Sequence, residues 1–417
     1  MRIRELKITN YRAFSETVRF ELQDHLTVIA GVNGKGKTAI LECLALILSR
    51  LLRQISPAKS GYKSILPADV HEGETEAEIS IKTLCVNIPL DYTLTYTKEN
   101  KKIRLKKLPR SLRTEIANAY GDPNRPDDQA PLVVYYTTDR AGYRFPKRIP
   151  RVTQSGQAMA YNGALFNRTV DYKDFMARYR VAASQEMEKL FVVGGAHFFK
   201  PNVITSINNA ISSFLNGFSD LQVVDNPARM LIKKNGETLD LKQLSDGERS
   251  FIALICDLSR RLALANPELE NPLFGAGVVL IDELELHLHP NWQLEVTEKL
   301  RKTFPNIQFI ITTHSPFIIQ TARQGEVILL DKDLTVDPYG KSIEEISNYV
   351  MDVKNTEYSP RIKNMKQVAK EYFKLVNEAK KGSPQKRSAI RKKIIKLLAQ
   401  FSDNPAYTAL LESKGIL

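Results

Sequence analysis

The residues with the clearest chemical potential are Gly31-Val-Asn-Gly-Lys-Gly-Lys-Thr38. They match G-x-x-x-x-G-K-[ST], in which glycines let backbone N–H groups turn toward phosphate oxygens. Lys37 would reach the β- and γ-phosphates of a nucleotide, and the Thr38 hydroxyl would hold Mg²⁺. Gly31, Asn33, Gly34, Lys35, Gly36 and Ala39 complete the candidate nucleotide-binding set. A second group is Val278-Val-Leu-Ile-Asp282-Glu283, four apolar residues followed by two carboxylates. Asp282 would bind the cation, and Glu283 would act as general base toward water. A third is Leu244-Ser-Asp-Gly-Glu248, ahead of a long apolar-periodic run. Ser245 and Gly247 there can present a hydroxyl and free N–H groups to an anion at a helix N-terminus. The same string is also a plain capping box, Ser245 with Glu248 three residues on, and both readings can hold together. The fourth is His314, at the end of the apolar run Ile310-Ile-Thr-Thr313.

These groups need elements that hold them. His25–Ala30 is an apolar strand running into the glycine loop, and Thr38–Leu52 has helical spacing. Strand, glycine loop and helix in that order are what a phosphate-binding loop requires. Ile3–Ile8, Thr17–Phe20, Ala77–Leu84 and Asn87–Tyr96 alternate as strands. Leu132–Tyr136, Val278–Ile281, Gln308–Thr312 and Val327–Leu330 are apolar, buried-type strands, while Val203–Phe218, Gly247–Ala265 and Trp292–Phe304 have helical periodicity. Residues 231–241 form a candidate hairpin. Strands separated by helices predict an α/β fold with a doubly wound parallel core.

The order of phosphate loop, Ser245-containing signature, acidic strand end and His314 resembles that of the ABC-type ATPases. The resemblance implies two chains paired head to tail, with Ser245 and Gly247 capping the γ-phosphate held by the partner's loop. It makes His314 the switch histidine. The opening Leu6-Lys-Ile-Thr-Asn-Tyr-Arg-Ala-Phe14 resembles RecF, SMC and OLD proteins, which makes Arg12 a nucleotide contact, against the plainer reading of a strand-to-turn arginine. The Glu283–Pro290 run is similar to the D-loop of OLD-like ATPases; His287 and His289 then belong to that loop, with metal ligation the alternative. No glutamine after the first helix matches the family's Q-loop, and Asp69 is the nearest candidate.

Four spans follow: 1–100 with the phosphate loop, 101–225 as an insert lobe, 226–350 with the remaining motifs, and 351–417 as a basic helical hairpin. The insert lacks sustained heptads and a CxxC hook, so it is not a long coiled-coil arm. Asp331 and Asp333 read as turn residues, not as a nuclease centre. Three scattered cysteines exclude a disulfide scaffold and fit a reducing, cytoplasmic setting. No apolar run is long enough for a membrane span, and the N-terminus carries no signal-peptide core.

The formal net charge is +13. Thirteen Lys/Arg face two acidic residues between Arg361 and Lys396, whereas residues 1–360 carry only +3. Such a hairpin suits an acidic partner, with nucleic acid as one candidate. The closing Gln400–Tyr407 string resembles the ATPase subunits of Septu-type anti-phage systems, some of them linked to retrons. That resemblance implies an ATP-dependent homodimer, or a higher oligomer, that restrains or licenses a separate HNH nuclease. A RecF-like ATPase binding DNA directly and a nucleotide-gated scaffold with little hydrolysis are the rival expectations.

Overall fold

The computed structural model describes residues 1–56, 64–85, 88–105, 108–120, 131–141, 146–152, 156–165, 170–192, 203–330, 338–349, 360–380 and 384–399, with 404, 407, 409 and 411. Its elements begin with β1 (Arg2–Thr9), β2 (Val18–Glu21), β3 (Leu26–Ala30) and α1 (Lys37–Ile55). Next come β4 (Glu76–Cys85), β5 (Ile88–Thr97), β6 (Lys102–Leu105), α2 (Arg110–Tyr120), β7 (Leu132–Tyr136) and α3 (Tyr172–Val192). Then follow α4 (Val203–Phe214), β8 (Phe218–Val224), β9 (Arg229–Lys234), β10 (Glu237–Asp240), α5 (Asp246–Ala265), β11 (Gly277–Ile281) and α6 (Pro290–Thr303). The last are β12 (Ile307–Thr313), α7 (Pro316–Gln320), β13 (Val327–Leu329), α8 (Ile343–Tyr349), α9 (Pro360–Lys380) and α10 (Pro384–Leu398). Asp331 and Asp333, and most of the 400–407 string, lie outside the described residues.

The fold is α/β. Its centre is a five-stranded sheet in the order β13-β3-β12-β11-β7, every pairing parallel. β3, β7, β11 and β12 are buried along their whole length, which is why they read as mainly apolar runs. β13, at the sheet edge, is only half-buried. β7 enters this sheet from within the 101–225 span, directly beside β11. The alternating strands instead build a separate antiparallel sheet, β2-β1-β4-β5-β6, whose inward residues Ile3, Leu6, Ile8, Ile79 and Ile81 are almost fully buried. A small antiparallel sheet, β10-β9-β8, precedes α5. The helix expected over Val203–Phe218 stops at Phe214, because Gly217 turns the chain at φ +81° and Phe218 opens β8.

Met1–Met351 forms one compact unit and Asp352–Leu417 a second. In the second, α9 and α10 pack around Tyr372, Val376, Ile394 and Leu411. Among the described residues no helix is long and apolar enough to cross a membrane.

Candidate functional site

Because all five central strands run the same way, their C-terminal ends share one edge, where ligands of such sheets bind. β3 ends there at Ala30 and passes through the glycine loop into α1. Gly36 takes φ +95°, and a Cβ at that position would lie 2.9 Å from the Phe14 ring. Lys37, although buried, donates from Nζ to the carbonyls of Gly31 (2.7 Å) and Val32 (3.0 Å), so its ammonium sits inside the loop. Val32, Asn33, Gly34 and Lys35 are exposed, and Ala39 is buried under them.

The carboxylates arrive on the neighbouring β11. The Thr38 hydroxyl lies 3.0 and 3.2 Å from the two Asp282 carboxylate oxygens. Thr312, from β12, donates to Asp282 Oδ1 at 2.6 Å and accepts from the Glu283 N–H at 2.8 Å. A hydroxyl and a carboxylate at this separation suit one hard cation completed by water and phosphate oxygens. Among the described residues no three His, Cys, Asp or Glu converge as an all-protein metal cage. Glu283 is half-buried and has φ +46°, a left-handed conformation uncommon for a non-glycine residue.

His314 follows Thr313, which pairs with Ala30 at the foot of the glycine loop. Glu285 fixes that strand end. Its carboxylate accepts from the Thr313 hydroxyl at 2.7 Å and from the His314 N–H. Gly31, Lys37, Thr38, Asp282, Glu283 and His314 therefore belong to one edge of one sheet.

Ser245 and Gly247 open α5. The capping box is present: Ser245 Oγ accepts from the Glu248 N–H at 3.3 Å, and Glu248 Oε2 accepts from the Ser245 N–H at 3.0 Å. Ser245 remains exposed, so the cap leaves its hydroxyl at the surface. Gly247 packs on the backbone carbonyl of His287, where a Cβ would collide. The Ser245 segment and the 283–289 loop thus touch within one chain.

Arg12 is engaged inside the protein. Its Nε donates to Asp69 Oδ1 at 2.9 Å, its Nη1 pairs with Glu42 on α1, and the guanidinium lies 5.4 Å from the Tyr11 ring centre. Burial works against the charge, but Tyr11, Glu42 and Asp69 outweigh it and raise the Arg12 pKa. Glu42 is four residues beyond Thr38, so Arg12 stands one helical turn from the loop. Asp69 serves this contact and caps Leu66 N at 2.8 Å.

Sequence reasoning passed over three supporting residues: Thr312, Glu285 and Arg140. Arg140, in the short turn after β7, is buried and donates to the carbonyls of Asp282 (2.5 Å) and Glu283 (2.6 Å). Its distance along the chain from either carboxylate left no local signal.

Residues 26–320 match the family described as "AAA domain, putative AbiEii toxin, Type IV TA system". The chain is 28% identical to the "Retron Ec83 probable ATPase" of Escherichia coli, over 79% of this chain and 71% of that protein. It is 26% identical to the "Retron Vc95 probable ATPase" of Vibrio cholerae serotype O1 biovar El Tor, over 90% and 84% respectively. To the "Septu protein PtuA" of Bacillus thuringiensis it is 26% identical, over 85% of each.

Proposed function

The chain belongs to this AAA-domain family, and from that premise we propose that it binds ATP with Mg²⁺, hydrolyses it to ADP and phosphate, and uses the cycle to control a partner nuclease in anti-phage defence. The observation that carries the catalytic part is the Thr38–Asp282 contact, which joins the glycine loop to the acidic strand end across 244 residues of sequence. In this reading the loop N–H groups and Lys37 hold the phosphates. Thr38 and Asp282 hold Mg²⁺, which supplies charge neutralisation at the phosphates. Glu283 accepts a proton from the attacking water, and His314 senses the γ-phosphate. Arg12 steadies the nucleotide side of α1.

The regulatory part rests on the exposed Ser245 hydroxyl at a helix N-terminus. Two chains pair head to tail, each offering Ser245 and Gly247 to the nucleotide of the other. ATP then bridges the homodimer, and hydrolysis removes the bridge. The names of the relatives favour a defence setting, and the Septu relative favours a separate effector, which we take to be a nuclease of HNH type in the cytoplasm. The exposed basic residues of α9 and α10 favour a second reading, a RecF-like ATPase that binds DNA itself.

Glu283→Gln is the decisive variant. Hydrolysis should fall by about a hundredfold or more, the scale of losing a general base. The same variant should accumulate as an ATP-bound dimer in light scattering. A hydrolysis rate equal to wild type would remove Glu283 as base. Co-purification of a small nuclease separates the defence reading from the RecF-like one.

A further inference from the structure

Glu283 has to be aimed, and its own backbone is unfavourable for that. A non-glycine residue at φ +46° persists only where surrounding contacts over-determine the conformation. Two sets of contacts do so. On one side Thr312 of β12 takes the N–H groups: its hydroxyl accepts from Glu283 N at 2.8 Å and its carbonyl accepts from Leu284 N at 3.1 Å. On the other side Arg140 takes the carbonyls. Nη1 donates to Asp282 O at 2.5 Å, and Nη2 donates to Glu283 O at 2.6 Å and Leu284 O at 3.4 Å. Nη1 also reaches back to Thr137 O at 3.2 Å, tying the guanidinium to its own turn.

Three successive carbonyls of the turn face one planar guanidinium, whose donors in a fixed fork reach all of them. A lysine offers a single ammonium and cannot span that arc. β7 itself is locked to β11, since Asp282 N donates to Tyr136 O at 2.9 Å. Arg140 therefore stands on a base fixed relative to the turn it grips.

We infer that Arg140 is a positioning residue for hydrolysis: by holding the backbone of Asp282–Leu284, it sets the direction of the Glu283 carboxylate toward the attacking water. This rests on the ATPase reading above. The Arg140 bonds to Thr137, Asp282, Glu283 and Leu284 all end on backbone carbonyls outside the phosphate loop, so its loss should act on the chemical step more than on ATP binding.

The test compares wild type, R140K, R140Q, E283Q and R140K/E283Q in the full chain, by steady-state ATP hydrolysis, affinity for a fluorescent ATP analogue, and melting temperature. R140K keeps the charge but gathers its donors on one nitrogen, and it carries the comparison if R140Q does not fold. The expected result for R140K is a fall in kcat of about ten- to a hundredfold, the scale of misplacing a reacting group by about an ångström. KM and analogue affinity should stay near wild type. R140K/E283Q should hydrolyse no more slowly than E283Q, because a misdirected base no longer matters once the base is gone. A merely structural arginine would instead add its loss on top of E283Q, or raise KM, and either result overturns the inference. R140K at wild-type kcat, with E283Q inactive, overturns it alone. Wild type that hydrolyses no ATP overturns the ATPase reading, and the inference with it.

Discussion

Gly36 is where the phosphate loop and the opening of the chain press together. Its φ of +95° is open to glycine but strained for alanine, and the added methyl would meet the Phe14 ring at 2.9 Å. Gly36→Ala should therefore lower stability by about 1–3 kcal/mol and weaken ATP-analogue binding at least tenfold, read by fluorescence titration. A variant that binds as well as wild type would mean that the loop rearranges around nucleotide. The loop residues and Asp282–Glu283 were legible in the sequence because phosphate and cation chemistry demands those residue types at close spacing. Arg140, Thr312 and Glu285 were not. Each acts on a backbone group or carboxylate brought near only by strand order, and an isolated Arg, Thr or Glu gives no sign of that. Arg12 lies between the two cases. Its type suggested a phosphate contact, while the structure ties it to Asp69, Glu42 and Tyr11, a set visible only after folding.

At the scale of elements, α5 connects the exposed Ser245 end to the core beside β7. Its middle buries Asp257, Arg260 and Arg261. Asp257 accepts from Arg261 Nε at 2.6 Å, Arg260 Nη2 at 2.7 Å and the Tyr136 hydroxyl at 3.0 Å. Tyr136 closes β7, and its carbonyl receives the Asp282 N–H, so the network ends on the backbone of the acidic pair itself. Burial alone would push the Asp257 carboxyl up, but Arg261 and Arg260 prevail and hold it at about 2. A carboxyl depressed in the folded state stabilises fully above its ordinary value near 3.8 and loses that contribution as pH falls toward about 2. Asp257→Ala should cost about 3–5 kcal/mol at neutral pH, because two buried guanidinium groups lose their nearest counter-charge and Arg260 keeps only Asp174, at 3.6 Å. The gap between variant and wild type in urea unfolding should narrow from pH 4 downward. A gap independent of pH would show that Asp257 acts by packing alone. Helical periodicity announced α5, yet it could not say that three charged residues lie on its buried side. In the same way each central strand was legible as an apolar run, while the order β13-β3-β12-β11-β7 was not, since parallel pairing depends on contacts far apart in sequence.

At the scale of the molecule, charge is divided between the two units. The hairpin span 361–396 carries +11, against +3 over residues 1–360. Lys370, Lys374, Arg391, Lys392, Lys393 and Lys396 are exposed, and none takes part in an ion pair among the described residues. Phe373 and Ile395 are exposed among them, at 36% and 62%. On α9, Lys366, Lys370 and Lys374 recur every four residues, about 6 Å along the axis, a spacing that a phosphate backbone can follow. If the RecF-like reading is right, the full chain binds single-stranded oligonucleotide through this face. Replacing Lys370, Lys374, Arg391, Lys392 and Lys393 by glutamine should then abolish binding at moderate salt and leave ATP hydrolysis unchanged. Wild-type affinity should fall by about a hundredfold between 50 and 200 mM salt if all five residues neutralise phosphates of a single strand. A flat salt response, or a variant that still binds, would place any nucleic-acid contact on the nearly neutral first unit. Loss of a co-purifying nuclease in the same variant, with no oligonucleotide affinity in wild type, would instead assign the hairpin to effector docking.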